Sequence, residues 1–179
     1  MPRIVKLRRI FKIKRNYKVV LVISLLLIFL SGCVKINVVE ATQEQSYLAL
    51  QKALEKLGTP YEYGARGPDK FDCSGLIVWA YKQVIPELKF RLGFSTVPDV
   101  NIEELYIYNT KHISIQDVNP GDIIFWRNSE GKISHGGLVI EVKSNYVQYV
   151  NASSVKGAVV IGESEISSEI CFGRLLIIY

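Results

Sequence analysis

The 179-residue chain holds 22 basic and 17 acidic side chains, a net charge of +5 that taken alone would suit a nucleic-acid partner. The distribution excludes one. Residues 1–32 contain eight of the Lys and Arg and no acid, while residues 33–179 carry fourteen basic against seventeen acidic side chains, a net −3, with no basic patch interleaved with aromatics. Those last 147 residues can bury roughly 68% of their unfolded surface, so a core needs no disulfide.

In chain order, residues 1–18 are basic, residues 19–30 form an unbroken apolar run, and Ser31, Gly32 and Cys33 follow. A basic region, a short apolar region and small residues ahead of a cut predict a signal peptide over 1–32. The run is shorter than the roughly 20 residues a membrane span requires. Leu30-Ser31-Gly32-Cys33 resembles the lipobox of bacterial lipoproteins, which implies a lipid on Cys33 and a membrane partner through that anchor. An ordinary signal peptide with a Cys at that place is the alternative. Several acyl chains hold a domain to a membrane where one binds only marginally. The expected localisation is therefore the cell envelope, membrane-anchored and facing the periplasm or cell exterior.

Residues 33–42 read as the lipidated Cys and a short tether, with the folded domain over 43–179. Over 43–57 the apolar positions Tyr47, Leu48, Leu50, Ala53, Leu54 and Leu57 recur at helical spacing, and Gly58 closes the segment. Residues 59–70 (TPYEYGARGPDK) are dense in Gly and Pro and predict a loop. Residues 73–84 (CSGLIVWAYKQV) predict an apolar helix that ends before Pro86, with Asp72 at or beside its N-cap. Residues 86–120 are the least legible, with a short helix over 102–108 and a turn at Asn119-Pro120-Gly121. Strands follow over 123–127, 135–142, 146–151, 158–161 and 173–179. Helices first and antiparallel strands after predict an α+β domain, its N-terminal helices packed on a central sheet of about five strands.

Cys73 stands out chemically. A thiol attacks as thiolate, and a helix N-terminus favours the anion through its free N–H groups and dipole. The alternative is a buried structural Cys. An activated Cys takes a base, usually His. His112 lies among polar neighbours and reads as a surface residue, whereas His135 opens a strand with Gly136 and Gly137 beside it, small enough for another segment to come close. A hairpin through Lys143-Ser144-Asn145 would set Asn151 near residue 137, within reach of His135 as the group that orients its ring. For His135 and Asn151 the alternatives are a satisfied structural histidine and a turn-forming Asn. Cys171 lies in CFGRLLIIY, which reads as a buried terminal strand; a 73–171 bridge stays open, and two free thiols of different character are favoured. No Cys/His cluster is left to bind zinc, and no cofactor is implied.

The segments LGTPYEYGARGPDKFDCSGL (57–76), NPGDIIFW (119–126), SHGGLV (134–139) and VNAS (150–153), in this order, resemble the NlpC-type cell-wall peptidase family over about 120 residues. The resemblance implies a papain-like fold and hydrolysis of peptide bonds in peptidoglycan stem peptides, usually after γ-D-glutamyl and before meso-diaminopimelate or lysine. It makes Cys73 the nucleophile, His135 the general base and Asn151 the third polar residue. It also places Tyr61 near the catalytic centre and the oxyanion, and lets Asp72 and Ser74, beside the nucleophile, hold the substrate's amine end. Two features depart from the family. The third position, most often His, is Asn151, which still accepts from an imidazole N–H. The segment after the nucleophile helix reads FSTVPDVNIEEL, with Pro98 but no following Arg, where a Pro-Arg-Thr/Ser-like motif is usual. Two other functions stay open: an envelope lipoprotein that binds wall peptides or a partner with weak or no catalysis, and an amidase or acyltransferase on the same Cys–His fold.

Overall fold

The chain divides into Met1–Ile36 and Asn37–Tyr179. The computed structural model describes residues 20–21 and 37–178. The signal peptide and the lipid-bearing Cys33 therefore lie outside the described residues, apart from Val20 and Leu21, which are helical. Among the described residues no helix is long and apolar enough to cross a membrane.

Of the stretch read as a tether, Val38–Glu40 forms strand β1. Helix α1, Gln43–Leu54, starts at Thr42, whose side chain accepts from the Gln45 N–H while the Gln45 side chain accepts from the Thr42 N–H. This reciprocal cap satisfies two donors that a helix start otherwise leaves free. Ser46, Ala49, Leu50 and Ala53 are buried at helical spacing and face helix α2, Cys73–Val84. Asp72 caps α2 by accepting from the Gly75 N–H. Leu76, Ile77, Ala80 and Tyr81 have no exposed surface, which makes α2 the central rod of the molecule.

The region that was hardest to read holds a two-stranded hairpin, β2 (Phe90–Leu92) with β3 (Ser95–Val97). Gly93 turns it with φ +60°, the left-handed angle that two-residue hairpin loops require. Helix α3, Ile102–Asn109, follows, capped by Asn101 and Glu104 in the same reciprocal way as α1.

The remaining strands are β4 (Thr110–Ile113), β5 (Ile123–Arg127), β6 (Ile133–Lys143), β7 (Tyr146–Ser153), β8 (Ala158–Glu165) and β9 (Ile170–Ile178). With β1 they make a seven-stranded antiparallel sheet ordered β1-β9-β5-β6-β7-β8, with β4 also paired to β9. The sequence reading of five strands captured the centre and missed β1 and β4, which take successive stretches of β9. Alternation along the strands divides two cores. Ile123, Phe125, Leu138 and Val150 pack with the helices, while Ile124, Val139, Val147 and Phe172 form a second cluster.

The Pro120-Gly121-Asp122 turn ties helices to sheet. Gly121 has φ +90°, and a Cβ there would lie 2.0 Å from the Ser46 carbonyl oxygen. Its own carbonyl accepts from the buried Tyr81 hydroxyl at 2.9 Å. Asp122, with no exposed surface, accepts from Arg174 Nε at 2.9 Å and Nη2 at 2.8 Å.

Candidate active site

Cys73 is the first residue of α2, so its sulfur meets backbone donors at the helix tip. The N–H groups of Ser74 and Cys73 itself favour the thiolate, and so does that of Gly136, the residue after His135. The strand that carries His135 thus reaches the sulfur through its own backbone. Yet burial, and then the charge of Asp72, outweigh these donors and push the thiol up to about 11. A helix tip alone predicted the opposite direction. Desolvation decides it, since removing water penalises the anion more than three N–H groups repay.

His135 sits on β6 opposite Trp126 of β5. Its Nε2 lies 3.0 Å from Asn151 Oδ1. Asn151 is 4% exposed, on β7. The sequence register placed Asn151 beside residue 137, and an irregularity between Val139 and Glu141 brings it there: Leu138 pairs with Val150, and a Cβ on Gly137 would lie 3.1 Å from the Asn151 Cβ. Burial holds His135 below its ordinary value, and the Asn151 hydrogen bond acts in the opposite sense. At neutral pH the Cys73 thiol keeps its proton and burial disfavours the imidazolium of His135, whose Nε2 is engaged by Asn151. Gly136 has its own reason to be small, since a Cβ would lie 2.5 Å from Ile102 Cδ1.

Cys73 and His135 line one cleft of about 370 Å³, together with Tyr61, Asp72 and Ser74. Asn151 stands behind His135. Tyr61, on the loop before α2, has its hydroxyl pushed up by burial first and then by the nearby Cys73 and Asp72. Asp72 and Ser74 point into an internal network: Ser74 Oγ donates to Asp72 Oδ1 at 2.9 Å and accepts from Arg66 Nη1 at 2.6 Å. His112 is elsewhere, stacked on Tyr106 at 4.0 Å between ring centroids. Cys73 and Cys171 are both free thiols, the second beside Tyr106 and Arg127. Among the described residues no three His, Cys, Asp or Glu come together as a metal-binding group.

Several residues of the site escaped the sequence reading. Arg66 and Glu103 line the cleft. Trp126 lies 5.3 Å from the His135 ring and 4.6 Å from Tyr149, so aromatic surface flanks the imidazole. Trp126 could have been found by pairing the two strands already read there. Arg66, alone in a Gly/Pro loop, gave no periodic signal.

A model of the NlpC/P60 family matches residues 58–169. The chain is 34% identical over 122 residues to the probable endopeptidase p60 of Listeria grayi, covering 64% of this chain and 22% of that protein. It is 29% identical over 100 residues to the murein DD-endopeptidase MepH of Escherichia coli K12, covering 55% and 34%. The chain thus spans between a fifth and a third of the length of these curated relatives. Among solved structures, an NlpC/P60 family protein from Bacillus cereus ATCC 10987 superposes with a TM-score of 0.55 at 18% identity, over 76% of this chain and 40% of that one. NlpC2 from Trichomonas vaginalis does so with 0.53 at 24% identity, over 73% and 45%. At these identities the likeness is one of fold.

Proposed function

The chain belongs to the NlpC/P60 family, and from that premise we propose that it is a cysteine peptidase of the bacterial cell wall, hydrolysing peptide bonds in peptidoglycan stem peptides after γ-D-glutamyl. The observation that carries this reading is the convergence on one sulfur: the tip of α2 and the N–H next to His135 both face Cys73, and His135 is oriented from behind by Asn151.

The chemistry follows from the resting protonation. Cys73 holds its proton at neutral pH, so its sulfur becomes nucleophilic as His135 removes that proton during attack on the peptide carbonyl. The imidazolium so formed keeps its Nε2–H on Asn151 Oδ1, then gives the new proton to the leaving amine. A thioacyl intermediate remains on Cys73. Water, deprotonated by His135, attacks it and restores the thiol. The oxyanion sits near the Cys73 N–H at the helix tip, with the Tyr61 hydroxyl as a second donor. Burial keeps Tyr61 protonated and able to donate. Asp72 and Ser74 hold the helix start. A signal peptide over 1–32, a lipid on Cys33 and the tether that follows would keep the domain 43–179 at a membrane beside its polymeric substrate.

The test is digestion of purified peptidoglycan with mass spectrometry of the released fragments. Fragments ending in γ-D-glutamate, released by the wild type and lost with Cys73→Ala, are expected. Undiminished release by Cys73→Ala overturns the assignment. Fragments cut at another amide or ester bond would move the protein to the amidase or acyltransferase reading, and a folded wild type that binds peptides without cutting them would make it a binding lipoprotein.

A further inference from the structure

Two carboxylates, Asp72 and Glu103, line the cleft, and a third, Asp99, is tied to it through Arg66. Asp72 is 7% exposed, and its Oδ1 accepts from the Gly75 N–H at 2.6 Å, the Ser74 hydroxyl at 2.9 Å and Arg66 Nη1 at 2.9 Å, while Oδ2 accepts from the Gly64 N–H at 3.0 Å. Asp99, just past the β2–β3 hairpin, accepts from Arg66 Nε on Oδ2 at 2.6 Å and from the Val100 N–H on Oδ1 at 2.8 Å. Arg66 therefore bridges two acids and neutralises much of their pull on a cation. At Asp72 Oδ1 an ammonium would have to displace that guanidinium, while Oδ2 holds only the Gly64 N–H among the described residues.

Glu103 differs. It lines the same cleft from α3, half-buried. Among the described residues its carboxylate has no ion pair and no side-chain hydrogen bond. Nor does it belong to the helix cap, which Asn101 and Glu104 make between them. Its place in the first turn suits an anion, and no internal cation is paired with it. A substrate cation would compensate it. On the peptidase reading above, the cleft takes a stem peptide, whose backbone amides are neutral. Its ammonium groups are the side-chain amine of the diamino acid and, where the stem is detached, the free amino end.

We infer that Glu103 is a specificity-determining residue that pairs with an ammonium of the substrate, its carboxylate being the one in the cleft lining that no internal cation holds. This rests on the peptidase reading for the identity of the substrate, while the residue assignment rests on the carboxylates alone.

The test uses synthetic stem peptides with lysine or Nε-acetyl-lysine at the third position, each with a free or acetylated amino end. A half-exposed ion pair is worth a factor of about five. Glu103→Gln should raise KM about fivefold for the peptide bearing the ammonium it reads, leave kcat within about twofold, and leave the matching acetylated peptide unaffected. Which acetylation mimics the substitution tells the side chain from the amino end. Glu103→Lys should reverse the preference, favouring a further peptide of the series in which that same amine is succinylated and so carries a carboxylate. Unchanged KM for every peptide in Glu103→Gln overturns the inference. Should the wild type turn over none of them, the peptidase reading falls, and calorimetry on Cys73→Ala protein still decides Glu103. A fivefold loss of affinity on adding Glu103→Gln supports it; equal or absent binding overturns it.

Discussion

Replacing Asn151 tests how the site sets the proton affinity of its base. The His135 Nε2–Asn151 Oδ1 bond is 3.0 Å long, and Asn151 is almost wholly buried. Asn151→Ala leaves a half-buried ring N–H without its acceptor, at a cost of about 1–3 kcal/mol. If that cost falls on the imidazole orientation needed for proton transfer, kcat/KM should fall about 10–100-fold, since each 1.36 kcal/mol is roughly a factor of ten. The pH profile carries the sharper signature. His135 lies below its usual value because of burial, and Asn151 partly restores it. In the free enzyme the acid limb of kcat/KM reports the protonation of that base. Asn151→Ala removes the restoring contact, so the limb should move to lower pH. Asn151→Asp puts an anion against the imidazolium and should move it to higher pH. The assay is kcat/KM from pH 4 to 9 on a defined stem peptide, with thermal unfolding to confirm folding. A common acid limb in all three proteins would refute the claim that His135 is the base and Asn151 its tuner.

Other consequences concern stability. The folded state resists protonating His135 while the unfolded chain accepts a proton near pH 6.5. The stability present above that pH should therefore be lost as pH falls below it toward the lower folded-state value. His135→Gln should lose less stability between pH 7 and pH 5 than the wild type in urea titrations at both pH values. Gly121→Ala combines φ +90° with a Cβ 2.0 Å from the Ser46 carbonyl, and should lower Tm by on the order of 10 °C in calorimetry. Arg174→Met leaves the buried Asp122 charge without its bidentate partner and should cost about 3–5 kcal/mol in chemical denaturation. Adding Asp122→Asn should recover part of that loss, which a double-mutant cycle measures.

The legible parts of the fold carry their own local signals. Helix α2 was readable end to end because Asp72 starts it, nine of its twelve residues are apolar or Gly, and Pro86 lies just beyond its end. The pairing of His135 with Asn151 was readable to within a residue because a short turn bounds hairpin register, and the irregularity between Val139 and Glu141 supplies the last step. Strands β1 and β4 were not, because three- and four-residue edge strands owe their existence to β9 rather than to their own pattern. The β2–β3 hairpin had one cue, Gly93 before Phe94, inside a stretch without clear alternation. The Arg66–Asp99 pair joins positions 33 apart and depends on tertiary packing alone. The net effect on Cys73 was illegible for a similar reason: sequence reveals the helix tip, but burial is a property of everything packed around it.

Whether sulfur and imidazole act as one unit is read most directly from the alkylation rate of Cys73 by iodoacetamide at pH 7, in wild type and in His135→Ala, with Cys171 as internal reference in the same sample. Removing the base should slow labelling of Cys73 at least tenfold and leave Cys171 unchanged. Equal rates at Cys73 in the two proteins would contradict the account.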